Sequence, residues 1–444
     1  MVSLSRIGLA GLMCVAGAVR AGESFDAQAA ACPDGLAPDT RCYAGRDTRG
    51  AYYWIAIPGT WNGSLVVHTH GGPKRTAPSK NDPIADLKRF SVVVHEGFAW
   101  AGSSYHHEGF GVRDAALDTD TLRRIFWEKF GRPKHTLLHG QSWGAGVAAK
   151  TAELYGSDGS GRPVYDGVVL TSGVLGGGTQ SYDFRADLRA VYQYYCHNLP
   201  RPDEPAYPLW QGLGAEDRLT LEELNSRITA CTGAGLPPAN RSVEQQRNLR
   251  NILNVVRIPE RTLVHHLAWA TFDFRYLVLK QLHGSNPFSN MGVVYAGSDD
   301  DVALNNGVQR FAATRAGIDA LAYDADLSGR LTVPTLTLHA IDDPTAFIEL
   351  ESAFDAIVAK AGAGNLLVQS FTDEHEHEKE ATPEYAALLR VMITWIEDGR
   401  KPTGETLVKA CQDAITRYGE ACHFDLTFHP QPLATRVYRR DLPL

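Results

Sequence analysis

His135-Thr136-Leu137-Leu138-His139-Gly140-Gln141-Ser142-Trp143-Gly144-Ala145-Gly146 is an apolar run that gives way to a small-residue pattern, with a serine at the change. Beyond Gly144 the pattern continues helically through Ala148, Ala149, Thr151 and Leu154. A serine at a sharp strand-to-helix turn holds a strained backbone, and side chains two residues to either side would collide across it. Glycine at 140 and at 144 removes the collision, so the turn closes and Ser142 projects above the sheet. The helix that follows aims its first amides at the same point, where they favour a developing negative charge. Gly-x-Ser-x-Gly alone is weak in a chain with 42 glycines. The strand before it and the helix after it make Ser142 a candidate nucleophile; an ordinary strand–turn–helix junction is the alternative.

Working outward, residues 51–57, 64–70 and 98–105 read as strands before this turn and 119–130 as a helix, with Leu122, Ile125, Phe126 and Phe130 on one side. Residues 165–175 read as a strand after it. Strands alternating with helices predict an α/β fold, with a mostly parallel sheet covered by helices on both faces. The rhythm stops from about 182 to 330. There, 221–228 and 243–256 look helical and 265–282 is apolar and aromatic. It resumes with a strand at 331–341, a helix at 347–361, a strand at 365–371 and a helix at 383–398. The expected organisation is a signal peptide at 1–21, the first part of the core at 22–181, a helical cap inserted at 182–330, and the second part of the core with a cysteine-bearing tail at 331–444.

Arg6 followed by the apolar run 7–19, with small residues at Ala16, Ala18, Val19 and Ala21, has the form of a cleaved export signal. The run is too short to span a bilayer. Gly11 and Met13 around Cys14 do not fit a lipoprotein signal. The expected location is therefore secreted or periplasmic, with no stable membrane anchor. Removing 1–21 loses Arg6 and Arg20 and no acid, which takes the formal charge from −8 to −10. Such a chain has no electrostatic case for binding nucleic acid. Six cysteines remain, and an even count in an exported protein points to disulfides. Neighbour pairing is simplest: Cys32 with Cys42, Cys196 with Cys231, Cys411 with Cys422.

A serine hydroxyl attacks only when a base takes its proton, and the base needs an acid to hold its tautomer. Both are expected at loop ends of the same sheet, after Ser142 in the chain. One strand ends at Asp342-Asp343-Pro344; the next is followed by Asp373-Glu374-His375-Glu376-His377-Glu378-Lys379. Serine, then aspartate, then histidine is the order for such a sheet.

These features resemble the α/β-hydrolase superfamily, among whose members are exported serine esterases and peptidases. The resemblance is carried by Gly140-Gln141-Ser142-Trp143-Gly144, by His70-Gly71-Gly72-Pro73 after an early strand, and by Val333-Pro334-Thr335-Leu336-Thr337-Leu338-His339 leading to Asp343-Pro344. It covers about 51–402 and is not specific for a substrate. It implies an acid four residues after His339, which selects Asp343 over Asp342; Pro344 also biases Asp343 toward an extended backbone. For the base, spacing favours His377 over His375, although the small residue usual before this histidine is missing. The oxyanion hole is expected from the amides of Trp143 and of Gly71 or Gly72. His68 reads as packing, His106 and His107 have no partner that the sequence names, and the run Asp299-Asp300-Asp301 has calcium-ligand types but reads as a solvated turn.

The expected function is hydrolysis of carboxylic esters through an acyl-enzyme, with a small or oligomeric ester as substrate. A serine peptidase with the same three residues is the nearest alternative, and a non-catalytic binding protein on this scaffold is a third. The His/Glu cluster at 373–379 contains zinc-ligand types, but alternating charges in a loop read as a solvated face. No metal is therefore expected; no cofactor is expected either, since no Gly-x-Gly-x-x-Gly or phosphate loop follows a strand to imply a nucleotide. Oligomeric state is left open.

Overall fold

The computed structural model describes residues 27–440, so the expected signal peptide at 1–21 lies outside the described residues. Nine strands form one sheet. They are β1 (Gln28–Ala30), β2 (Arg41–Arg46), β3 (Tyr52–Ile57), β4 (Ser64–Thr69), β5 (Ala99–Ser103), β6 (His135–Gln141), β7 (Gly167–Thr171), β8 (Thr335–Ala340) and β9 (Leu367–Thr372). Their order across the sheet is β1-β2-β3-β5-β4-β6-β7-β8-β9. The six strands from β5 to β9 in that order are mutually parallel, while β1, β2 and β3 pair antiparallel at one edge. The strands β1 and β2 were not expected, since Gln28–Ala30 is short and Arg41–Arg46 half polar. The Cys32–Cys42 disulfide joins the chain there, just outside β1 and within β2.

Side chains alternate between the two faces, as the pleat requires. Leu65, Val67, Leu138, Val168 and Leu170 pack against the helices Val112–Phe130, Trp143–Tyr155 and Glu349–Lys360. Val66, Leu137, Val169, Leu336 and Leu338 pack on the other side, against Asn81–Arg89, Thr382–Asp398 and Gly404–Tyr418. A central parallel strand is therefore buried on both faces, which is why these strands read as continuous apolar runs. The helix Gly404–Tyr418 holds Cys411, whose disulfide to Cys422 ties down the tail.

Between β7 and β8 the chain is helical and folds on a core of its own, built from residues such as Phe184, Leu188, Ile228, Leu249, Ile252, Phe274 and Phe288. Asp183–Cys196, Leu221–Thr232 and Val243–Val256 are its longer helices, and Cys196–Cys231 staples the first to the second. Trp143, Phe110 and Phe347 from the sheet side join the same core, so this insertion sits over the carboxyl ends of the strands. The aromatic stretch expected near 265–282 is a helix with two π-helical segments, Trp269–Asp273 and Leu277–Gln281. Among the described residues no helix is long and apolar enough to cross a membrane.

Candidate active site

Ser142 sits between β6 and the helix Trp143–Tyr155 with φ 56° and ψ −126°, a strained backbone for a residue other than glycine. Neighbouring strands hold the turn. The Ser142 amide donates to Thr171 O at 2.9 Å, and Ser142 O accepts from the amides of Val174 and Ala145 at 3.0 and 3.1 Å. The two glycines have no alternative. A Cβ at Gly140 would lie 2.3 Å from Gly144 O, and one at Gly144 would lie 2.4 Å from Thr69 O. Trp143 is the first residue of the helix, where a backbone amide has no partner within the helix.

Ser142, Asp343 and His377 follow the carboxyl ends of β6, β8 and β9, and their side chains form one hydrogen-bonded line. His377 Nε2 lies 2.9 Å from Ser142 Oγ, and Nδ1 lies 2.6 Å from Asp343 Oδ2. A carboxylate only accepts, so the Nδ1 proton faces Asp343 and Nε2 is free to accept from the serine hydroxyl. Asp343 is buried, and its other oxygen accepts from the amides of Thr345 and Ala346 at 2.8 and 2.9 Å. Burial pushes its carboxyl up, but the charge of His377 and the hydrogen bonds of His339 and His377 hold it well below the usual range. For His377 burial pulls down, and the charge and hydrogen bond of Asp343, with Glu378 and Glu380, outweigh it and raise the ring above its ordinary value.

The rival pair is also a pair. His375 Nδ1 lies 2.6 Å from Asp342 Oδ2, but both side chains are more than three-fifths exposed and neither has a bond to Ser142.

Other groups around the line were not singled out by sequence. His339 is fully buried between two carboxylates, 3.4 Å from Asp343 and 3.1 Å from Glu351, and gives its Nε2 proton to Ala346 O at 2.8 Å. Burial opposes its charge, yet the hydrogen bonds to Asp343 and Glu351 raise it above the ordinary value. It had served only as a signpost to the acid. Glu378 lies 3.4 Å from His377 Nε2 and pairs with Arg89 at 2.6 Å. Arg89 thus balances an anion next to the serine that would oppose a developing oxyanion. Glu380 is buried, hydrogen-bonded to Ser172 and to Tyr385.

The loop after β4 lies against the elbow. A Cβ at Gly71 would be 3.2 Å from Gln141 O and 3.8 Å from Ser142 Cβ, and Gly72 adopts φ +69°. His70 binds Asp86 at 2.8 Å, and His68 is buried against His139 at 3.0 Å. His106 binds Asp118 at 2.7 Å, and His107 lies 3.4 Å from Asp114; Arg49 donates to Asp114 and contacts His106, which places a cation inside the one group of possible metal ligands among the described residues. Of the acidic run, Asp300 caps the helix Asp301–Gly307, Asp301 accepts from Ser298, and Asp299 pairs with Arg247. These contacts account for the run as local structure.

No protein-family model and no curated protein matches the sequence. Solved structures similar to it include an esterase from Aspergillus oryzae at 13% identity and TM-score 0.44, covering 82% of this chain and 80% of that one. Feruloyl esterase B from Aspergillus oryzae is similar at 14% identity and TM-score 0.45, covering 82% of each chain. Candida antarctica lipase A in its closed state is similar at 12% identity and TM-score 0.41, covering 82% of this chain and 78% of that one. The strand order of the sheet, the helices on its two faces, the strand–elbow–helix at Ser142 and the helical insertion before β8 together make this an α/β-hydrolase fold.

Proposed function

We propose that the protein is an exported serine hydrolase that cleaves carboxylic esters, with Ser142 as nucleophile, His377 as base and Asp343 as acid. The reading rests on one observation, the unbroken hydrogen-bond line from Asp343 through His377 to a serine on a strained elbow. His377 Nε2 takes the Ser142 proton as Oγ attacks the ester carbon, and the carbonyl electron pair moves to oxygen. The amides of Trp143 and of Gly71 or Gly72 stabilise that oxyanion. The ester C–O bond then breaks, and His377 gives its proton to the departing alkoxide. Water enters, loses a proton to His377, and attacks the acyl-enzyme; the acid leaves and the proton returns to Ser142. The charge of Asp343 stabilises the imidazolium at each step. The helical insertion acts as a cap that excludes bulk water. Three disulfides and the signal-like residues 1–21 support export.

The test combines labelling by a fluorophosphonate probe with turnover of a p-nitrophenyl ester panel beside aminoacyl-p-nitroanilides. Labelling at Ser142 with ester turnover is the expected result. Preferential turnover of the anilides would turn the reading to a peptidase, and no labelling with no turnover of either would end it.

A further inference from the structure

Arg185, on the helix Asp183–Cys196, is 4% exposed and is a buried cation without an anion. Its guanidinium lies over three rings, 4.6 Å from the Phe184 and Trp269 centroids and 5.6 Å from that of Tyr182. Rings cover the face of a guanidinium and leave the N–H groups at its edge unmet. Among the described residues none of these groups has a hydrogen-bond acceptor, and Nε is sealed from solvent. Burial pulls the group down to about 10, only partly opposed by Tyr182 and Asp273. Asp273 is the near carboxylate, but Arg75 holds both of its oxygens at 2.5 and 3.1 Å. The other buried arginines are better met: Arg123, Arg227 and Arg440 have carboxylates, and Arg189, which has none and leaves Nε and Nη1 unmet, still donates to Gly212 O. An arginine kept charged and unpaired at this depth costs stability that a bound anion would recover.

A chain of packed rings links Arg185 to the candidate site. Trp143, next to the nucleophile, packs on Phe110 at 5.8 Å, and Phe110 packs on Tyr182 and Trp269, the rings that hold Arg185. His265 reports the same closeness. It is exposed at the surface, yet desolvation by its surroundings, with the charges of Arg185, His377 and Arg75, pushes its imidazole down to about 4. His265 thus lies within reach of both Arg185 and the base, and the planar fork of a guanidinium matches a carboxylate through two parallel bonds.

We propose that Arg185 recognises a free carboxylate on the substrate, so that the esters cleaved at Ser142 are those carrying an acid group in their acyl or their alcohol half. The inference rests on the hydrolase reading above.

Two pairs of esters distinguish the halves. Mono-4-nitrophenyl adipate against 4-nitrophenyl hexanoate tests the acyl half, and 4-butanoyloxybenzoate against its methyl ester tests the alcohol half. In one pair the acid should have the higher kcat/KM. That ratio should fall at least about tenfold in Arg185→Met and be partly kept in Arg185→Lys, as expected for truncating one member of a buried charged pair. Without ligand, the Tm of Arg185→Met should not fall, whereas a structural role for the arginine predicts a loss. Adipate should raise the Tm of the wild-type protein and not that of Arg185→Met. If the neutral esters turn over and neither acid is preferred, Arg185 has no such role and the hydrolase reading stands. If Ser142 is not labelled and no ester turns over, that reading falls, and the adipate shift alone decides for or against a carboxylate site at Arg185.

Discussion

Two aspartate–histidine pairs stand side by side at the ends of β8 and β9, and their internal geometry is the same. Asp343–His377 and Asp342–His375 each close at 2.6 Å between Nδ1 and Oδ2. They differ in what surrounds them. The first has a buried carboxylate, two backbone amides on its second oxygen, His339 behind it and Ser142 in front. The second lies in solvent, with Asp373 as a further neighbour of His375. In water such a pair is screened and contributes little, whereas in a water-poor site the same contact fixes a tautomer and holds a charge. A short carboxylate–imidazole contact is therefore no sign of function until a third partner and burial are added.

The largest break in this contrast should come from Ser142→Ala and His377→Ala. Either should lower kcat by about 10⁶ while circular dichroism shows the fold intact, and the double variant should be no worse, because the residues act as a unit. Activity above about a tenth of wild type in either would remove its assigned role. Asp343→Asn comes next, with a loss of about 10⁴ in kcat and little change in KM, since the wrong tautomer would then face the serine.

A pH profile sharpens the contrast. The base must be neutral to accept a proton, and Asp343 raises His377 above its ordinary value. The rate, as kcat/KM, should thus rise with pH through a midpoint above about 6.5, the ordinary value for histidine. His375 is raised as well, first by its hydrogen bond to Asp342. In Asp342→Asn its own titration, followed by NMR, should move down while the midpoint of the rate profile stays where it was. A shift of that midpoint would mean that the exposed pair titrates with the reaction. The smallest effects belong to His375→Ala and Asp342→Asn, which should change kcat/KM by less than about twofold, as for a solvent-exposed ion pair. A crippled His375→Ala beside an active His377→Ala would exchange the two histidines.

Much of the fold was legible because central parallel strands and their helices have strong periodic signals. The β6 strand was read as ending one residue before Gln141, and the helix after Ser142 as starting one residue late. The short edge strands β1 and β2 were missed because an edge strand packs on few neighbours and has little apolar pattern. Neighbour pairing of the cysteines holds in all three disulfides, where short separations had made it the simplest choice.

At Ser142 the sequence was sufficient in itself, because the constraint is local: a Cβ at Gly140 or Gly144 would meet backbone atoms, so only glycine closes the turn. The order of serine, aspartate and histidine was equally readable, since each follows its own strand. Which histidine faces the serine was favoured by spacing but not fixed by it, because Asp342 and Asp343, like His375 and His377, have the same chemistry and differ by a step or two along the chain. Tertiary packing made that choice by turning Asp343 and His377 inward and leaving Asp342 and His375 in water. It likewise enclosed Arg185 among three aromatic rings with no carboxylate at its edge. Burial and long-range partners are properties of the packed chain, and no local pattern encodes them.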